Sequence, residues 1–179
     1  TTSLVAGETT EAQWQRIETA IGAFVGRDVG VDESVYRSES ETGFRNRAIA
    51  WMLKNFGIID GEPMATLENY FRQCSLLVSC RDLAYMAATL ANGGVHPLTG
   101  QCALPSEHVE RVLSVMATCG MYDGAGEWFH TVGLPAKSGV SGGILAVLPG
   151  QMGLTVWSPR LDIRGNSVVD GSIIVTGDG

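Results

Sequence analysis

The segment GLPAKSGVSGGILAVLPGQMGLTVWSP, residues 133–159, decides the fold class of this chain. It consists of short runs of β-branched and aliphatic residues that glycine and proline interrupt, a pattern typical of β-strands. The runs lie close together in sequence, which favours antiparallel hairpins, because a parallel neighbour needs a long crossover connection. The preceding stretch EWFHTVGLP, residues 127–135, has a similar composition and is predicted as a strand as well.

The sequence before this segment shows helical periodicity instead. A second helix is predicted from about Glu41 to Asn55, with an apolar face on one side. The other predicted helices begin at Thr10, at Pro63, after a capping box at Ser79 and Asp82, and after a cap at Ser106. The residues of the apolar face are Phe44, Ala48, Trp51 and Met52.

Helices followed by strands indicate an α+β fold in which helices pack on an antiparallel sheet. We expect a mainly helical part at residues 1–125 and antiparallel strands at residues 126–179 of the same domain. The chain has 179 residues, 45% of them hydrophobic and 17% charged, which is enough for a folded domain with its own core.

Composition also excludes several classes of function. The net charge of −7 and the absence of a basic stripe argue against nucleic acid as a partner. No apolar run has the length of a membrane span, and no signal peptide is recognised. The four cysteines form no C-x-x-C pair and are interpreted as reduced thiols, so a cytoplasmic location is expected. The three histidines lack metal-ligand spacing, and no metal or cofactor is expected.

The tripeptide Lys137-Ser138-Gly139 is the clearest candidate for chemistry in the strand region. A lysine at the start of a glycine-rich strand places positive charge where a ligand can approach the backbone, and free N–H groups there can stabilise an oxyanion. K-[ST]-G is one element of the serine acyl-transferases related to penicillin-binding enzymes. A turn with an exposed lysine is the alternative. The companion motif S-x-x-K is absent, since neither Lys54 nor Lys137 follows a serine by three residues.

Six stretches, in order, resemble the serine-dependent glutaminases, which have a β-lactamase/transpeptidase-like fold. The resemblance covers most of residues 38–168 and implies that the chain is the C-terminal part of the catalytic domain. The S-x-x-K nucleophile would then precede Thr1, and the 179 residues alone are expected to be inactive. The stretches are SESETGFRNRAIAWML, LENYFRQCSLLVSC, AATLANGGVHPLTG, CGMYDGAGEW, VGLPAKSGVSGGI and WSPRLDIRGNSV.

The resemblance also implies roles for substrate-binding residues. Glu39 would meet the α-ammonium of the amino acid, while Asn46 and Tyr70 would hold its α-carboxylate. Without the resemblance, Glu39 reads as a solvated carboxylate, Asn46 as a surface residue and Tyr70 as part of a core.

Three further residues would act on the reacting amide. Tyr122 would lie beside the nucleophilic serine, contact the substrate and relay protons. Val140 would offer its backbone N–H to the oxyanion hole, and Lys137 would add positive charge beside it. By itself, Tyr122 could equally be a turn residue after a helix.

The implied reaction is the hydrolysis of L-glutamine to L-glutamate and ammonia through a serine acyl-enzyme. Partners implied in the same way are the rest of the catalytic domain and further copies in a homo-oligomer. Two alternatives stay open: a penicillin-recognising serine hydrolase of the same fold, and a non-catalytic binding or assembly module.

Overall fold

A computed structural model of the chain describes residues 1–168 and 173–176. The described strands form one antiparallel sheet in the order β1-β2-β3-β4, after a run of helices, so the predicted α+β class is confirmed. The elements are α1 (Thr10–Val25), α2 (Glu33–Thr42), α3 (Phe44–Asn55), α4 (Pro63–Cys74), α5 (Cys80–Ala91), α6 (Ser106–Cys119), α7 (Ala125–Thr131), β1 (Ala136–Ser138), β2 (Gly143–Leu148), β3 (Met152–Trp157) and β4 (Ile173–Thr176), with 3₁₀ turns at Thr2–Leu4 and Tyr122–Gly124.

The chain divides into two compact units. The first comprises Thr1–Gly22 and Asp28–Leu77, and the second comprises Ala23–Arg27 and Val78–Gly179. The division expected from the sequence, into residues 1–125 and 126–179, stays a prediction.

The first unit has a small core between α3 and α4, built from Ala50, Ile59, Leu67 and Phe71. The predicted helix start at Pro63 is confirmed, because α4 begins there. The fixed φ of proline suits the first position of a helix.

The predicted helix from Glu41 to Asn55 is wrong in its first part, because two helices meet at Gly43. The earlier helix, α2, begins at Asp32, whose carboxylate accepts hydrogen bonds from the amides of Ser34 and Val35. No side chain of α2 is buried, so hydrophobic periodicity gave no sign of it. A Cβ on Gly43 would lie 2.5 Å from Cζ of Phe71, which explains the glycine at the junction.

The apolar residues that the sequence groups on one side of α3 are exposed in this chain. Phe44, Trp51 and Met52 are 73%, 52% and 53% exposed, whereas Ala50 on the other side of the helix is buried.

The second unit places α5 directly against β2 and β3. The predicted capping box is confirmed: Ser79 Oγ accepts from the Asp82 amide, and the Asp82 carboxylate accepts from the Ser79 amide. Arg27 pairs with Asp82 at 2.6 Å. Burial raises the pKa of Asp82, but hydrogen bonds from Arg27 and Ser79 outweigh burial and lower it to about 2. Gly153 allows the close packing, since a Cβ there would lie 2.2 Å from the Ala88 nitrogen.

Two further sequence predictions are corrected in this unit. Residues 125–131 form α7 rather than a strand, because Trp128 packs onto the core and donates to the Leu134 carbonyl. A short apolar run does not distinguish the two periods. Ser106 lies inside α6, and Pro105 holds the N-cap position without a side-chain cap.

Among the residues that the structure describes, no helix is long and apolar enough to cross a membrane. Within the same residues, no cluster of His, Cys, Asp and Glu side chains has a geometry that could hold a metal ion.

Candidate active site

In the first unit, Asn46 and Tyr70 line the same cavity of about 300 Å³. Asn46 lies in the first turn of α3 and is half-buried, and Tyr70 lies near the end of α4 with 37% of its surface exposed. Most of the other lining residues are apolar, including Leu53 and Ile59. The cavity therefore presents an amide and a phenol among apolar side chains and the hydroxyl-bearing residues Thr1, Thr2, Ser3 and Thr66.

Glu39 joins this group through Cys74. Cys74 lies one turn after Tyr70 on α4, and the two side chains are hydrogen-bonded. Burial raises the pKa of the Cys74 thiol, the bond to Tyr70 lowers it, and the nearby Glu39 carboxylate raises it. Asn46 and Tyr70, which the sequence predicts as substrate-binding, thus share a cavity, and Glu39 is connected with them through its electrostatic effect on Cys74. Cys74 is a neighbour that the sequence did not single out.

In the second unit, Tyr122 has a strained backbone. Its φ is 51°, and it is the one non-glycine residue with positive φ in the described part of the chain. A left-handed conformation costs a residue with a Cβ about 1–2 kcal/mol. Such strain persists where the surrounding structure imposes it, often at functional sites.

Lys137 lies over the Tyr122 ring, with 4.7 Å between Nζ and the ring centroid. It projects from β1 between the buried residues Ala136 and Ser138, and Nζ also donates to the Ser138 carbonyl. Desolvation lowers the pKa of Lys137, while the Cys119 thiol raises it by a smaller amount. The lysine therefore faces the tyrosine and gives up its proton more readily than a free lysine does.

Val140 lies in the turn that joins β1 to β2 and is 73% exposed. The turn is closed by hydrogen bonds from the Gly139 amide to Gly143 O and from the Gly142 amide to Gly139 O, at 2.9 and 3.0 Å. A Cβ on Gly142 would lie 2.1 Å from the Ser158 carbonyl oxygen, so only glycine fits there.

A loop within the stretch WSPRLDIRGNSV, for which the sequence predicts no role in the site, completes this group. Gly165 in this loop lies close to both Tyr122 and Val140. A Cβ on Gly165 would lie 3.7 Å from Cε2 of Tyr122 and 4.0 Å from Cγ1 of Val140. Tyr122, Lys137 and Val140 are thus close together in the second unit. No feature of the loop sequence RGNS marks it as a neighbour of Tyr122, because the two are remote in the chain.

A sequence model of the protein family described as Glutaminase matches residues 1–175. The chain belongs to the glutaminase family. A glutaminase from Trichormus variabilis is 55% identical over 168 residues, which are 94% of this chain and 50% of that protein. One from Mycobacterium ulcerans is 49% identical, with 94% of this chain and 52% of that protein covered. The chain therefore spans about half the length of the curated relatives it matches.

Solved structures of glutaminases superpose closely on this family member. The probable glutaminase ybaS has a TM-score of 0.91 at 46% identity, covering 93% of this chain and 54% of that one. The Bacillus subtilis glutaminase YbgJ, in covalent complex with 5-oxo-L-norleucine, has a TM-score of 0.90 at 35% identity, covering 93% and 60%. The β-lactamase/transpeptidase-like fold implied by the resemblance is confirmed for this part of the domain.

Proposed function

We propose that this chain forms the C-terminal part of a glutaminase catalytic domain that hydrolyses L-glutamine to L-glutamate and ammonia. The observation that carries the proposal is the strained Tyr122 beneath Lys137, beside the glycine turn at Val140, in a chain of the glutaminase family. Backbone strain is costly to maintain, and here it coincides with a lysine over the tyrosine ring where the family resemblance expects proton transfer.

The chemistry proposed for this group is attack of a serine hydroxyl on the γ-carboxamide, giving an acyl-enzyme and ammonia. The serine and its lysine, in an S-x-x-K motif, would come from a segment outside these residues. Tyr122 would carry a proton to the departing nitrogen, because an amine leaves far more easily once protonated. The Val140 amide would stabilise the oxyanion, and the Lys137 ammonium would add positive charge next to it.

Recognition of a free amino acid is proposed for the group in the first unit. Glu39 supplies the charged acceptor that an α-ammonium requires, and Asn46 and Tyr70 supply neutral donors for the α-carboxylate. The support is their common position around Tyr70, where Asn46 shares a cavity with it and Glu39 lies near its partner Cys74.

Oligomeric assembly and cellular location are also part of the proposal. The family resemblance supports assembly into a homo-oligomer. The four cysteines, all free thiols, support a cytoplasmic location.

The direct test is ammonia release from L-glutamine by the full-length protein that carries this chain. Tyr122→Phe keeps the ring under Lys137 and removes only the hydroxyl, so kcat is expected to fall by about 10²- to 10⁴-fold with little change in KM. An unchanged kcat would reject the proton-carrying role. Turnover of a chromogenic β-lactam in place of glutamine would favour the penicillin-recognising alternative.

A further inference from the structure

The loop from Asp162 to Asn166 closes on itself in the second unit. One carboxylate oxygen of Asp162 accepts hydrogen bonds from the amides of Arg164 and Asn166, at 2.8 and 2.9 Å. The Asp162 amide donates to the Asn166 carbonyl at 2.8 Å, and the Gly165 amide donates to the Asp162 carbonyl at 3.1 Å. These four bonds fix the loop backbone from which the Asn166 side chain projects.

Asn166 connects this loop to the residue before Tyr122. It is buried, with 7% of its surface exposed, and its Nδ2 donates to the Met121 carbonyl at 3.1 Å. A carbonyl can only accept, so the Asn166 amide group must present its nitrogen to Met121. Met121 is itself buried, and its carbonyl belongs to the peptide bond that joins it to Tyr122.

The orientation of that peptide determines the backbone of Tyr122. The angle φ describes the rotation of Tyr122 relative to the Met121–Tyr122 peptide plane, and its value of 51° is strained. Rotation of this peptide plane changes φ of Tyr122 and, with it, the position of the ring relative to Lys137. The Met121 carbonyl accepts two hydrogen bonds in this orientation, one from the Gly124 amide at 3.0 Å and one from Asn166 Nδ2 at 3.1 Å, and of these two only the Asn166 bond comes from a side chain.

We propose that Asn166 is a positioning residue for Tyr122 and acts by holding the Met121–Tyr122 peptide. The inference rests on the proposed function, since it concerns the proton-carrying role of the Tyr122 hydroxyl. Misplacement of a reacting group by about 1 Å can cost about 100-fold in rate. Asn166→Ala is therefore expected to lower kcat by about 10- to 100-fold and to change KM little, because Glu39, Asn46 and Tyr70, which are proposed to hold the amino-acid end of the substrate, are untouched.

The experiment is a double-mutant cycle in the full-length protein, with Asn166→Ala and Tyr122→Phe alone and together. If Asn166 acts through the Tyr122 hydroxyl, its replacement costs about 10- to 100-fold in kcat with Tyr122 present and less than about threefold in Tyr122→Phe. Circular dichroism at the assay temperature corrects each kcat for the folded fraction. If Asn166→Ala fails to fold, Asn166→Ser takes its place, since a serine keeps a polar group in the buried site.

A matched control is Asn92→Ala. Nδ2 of Asn92 also donates to a backbone carbonyl of the second unit, that of Val95, at 3.0 Å. The kcat of the Asn92→Ala variant is expected to stay within about twofold of that of the unsubstituted protein. Equal effects of Asn166→Ala in both backgrounds would overturn the positioning role while glutamine hydrolysis stands. No hydrolysis by the unsubstituted protein would instead overturn the proposed function, and this inference with it.

Discussion

Replacement of Tyr122 by alanine and by glycine measures the strain in its backbone. Both variants remove the ring and the hydroxyl, and they differ only in the Cβ atom. At an ordinary helical position, Ala→Gly destabilises a protein by about 1 kcal/mol, because glycine has more conformational freedom in the unfolded chain. At Tyr122 the same change also removes the clash of a Cβ in the left-handed region, where φ is 51°.

The expected magnitude follows from a comparison with Glu110, an exposed residue inside α6. The unfolded-state term is common to both positions and cancels. The change in the free energy of unfolding caused by Ala→Gly should therefore differ between the two positions. It should be about 1–2 kcal/mol more stabilising at position 122 than at position 110, which is the cost of the left-handed conformation. At position 122, glycine should be as stable as alanine or more stable, and both variants should have lost glutamine hydrolysis.

The assay is urea unfolding of the four variants in the full-length protein, followed by fluorescence and by circular dichroism. Coincident transitions and equal m-values are needed for the comparison of free energies. If Ala→Gly costs the same at positions 122 and 110, within about 0.5 kcal/mol, Tyr122 is not held in a strained conformation. The argument for a site built around that strain would then fail.

Three further predictions concern recognition, acid stability and packing. Glu39→Gln should lower kcat/KM for L-glutamine by about 10- to 200-fold at unchanged thermal stability, because a charge-assisted hydrogen bond of about 1.5–3 kcal/mol is lost; unchanged kinetics would make Glu39 a mere surface charge. Since the folded pKa of Asp82 is about 2 against an ordinary 3.8, its contribution is complete above about pH 4 and declines as pH falls toward 2. Asp82→Asn should lower the free energy of unfolding above pH 4 by at most about 2.4 kcal/mol, and by less than this because Arg27 is partly solvated. It should also make the free energy of unfolding depend less on pH in the acid range. Gly153→Ala should destabilise by about 1–3 kcal/mol in urea, since a Cβ would meet the backbone at Ala88; wild-type stability would show that α5 and β3 are not in close contact.

Features set by neighbouring residues could be predicted from the sequence. The capping box at Ser79 and the start of α4 at Pro63 depend on contacts within one helical turn, and both are present. Likewise, a strand and a following glycine turn could be predicted at Lys137-Ser138-Gly139, because both depend only on residues that are adjacent in sequence. The bond between Asn166 and Met121 spans 45 residues and joins two ordinary residue types, so nothing in the local pattern indicates it.

The α3 helix shows that the more apolar side of a helix is not always the side that packs against its neighbours in the chain. Successive residues turn by about 100°, so Phe44, Trp51 and Met52 share one side, roughly opposite Ala50. Hydrophobic periodicity groups the bulky apolar residues on one side of the helix, yet Ala50 on the other side is the buried residue, and it packs against Leu67 and Phe71. A small side chain lets a neighbouring helix approach closely, whereas bulky ones hold it away. The side of α3 that packs on α4 is therefore the side whose shape fits α4. Hydrophobic periodicity measures only how apolar each side is, so it does not identify that side.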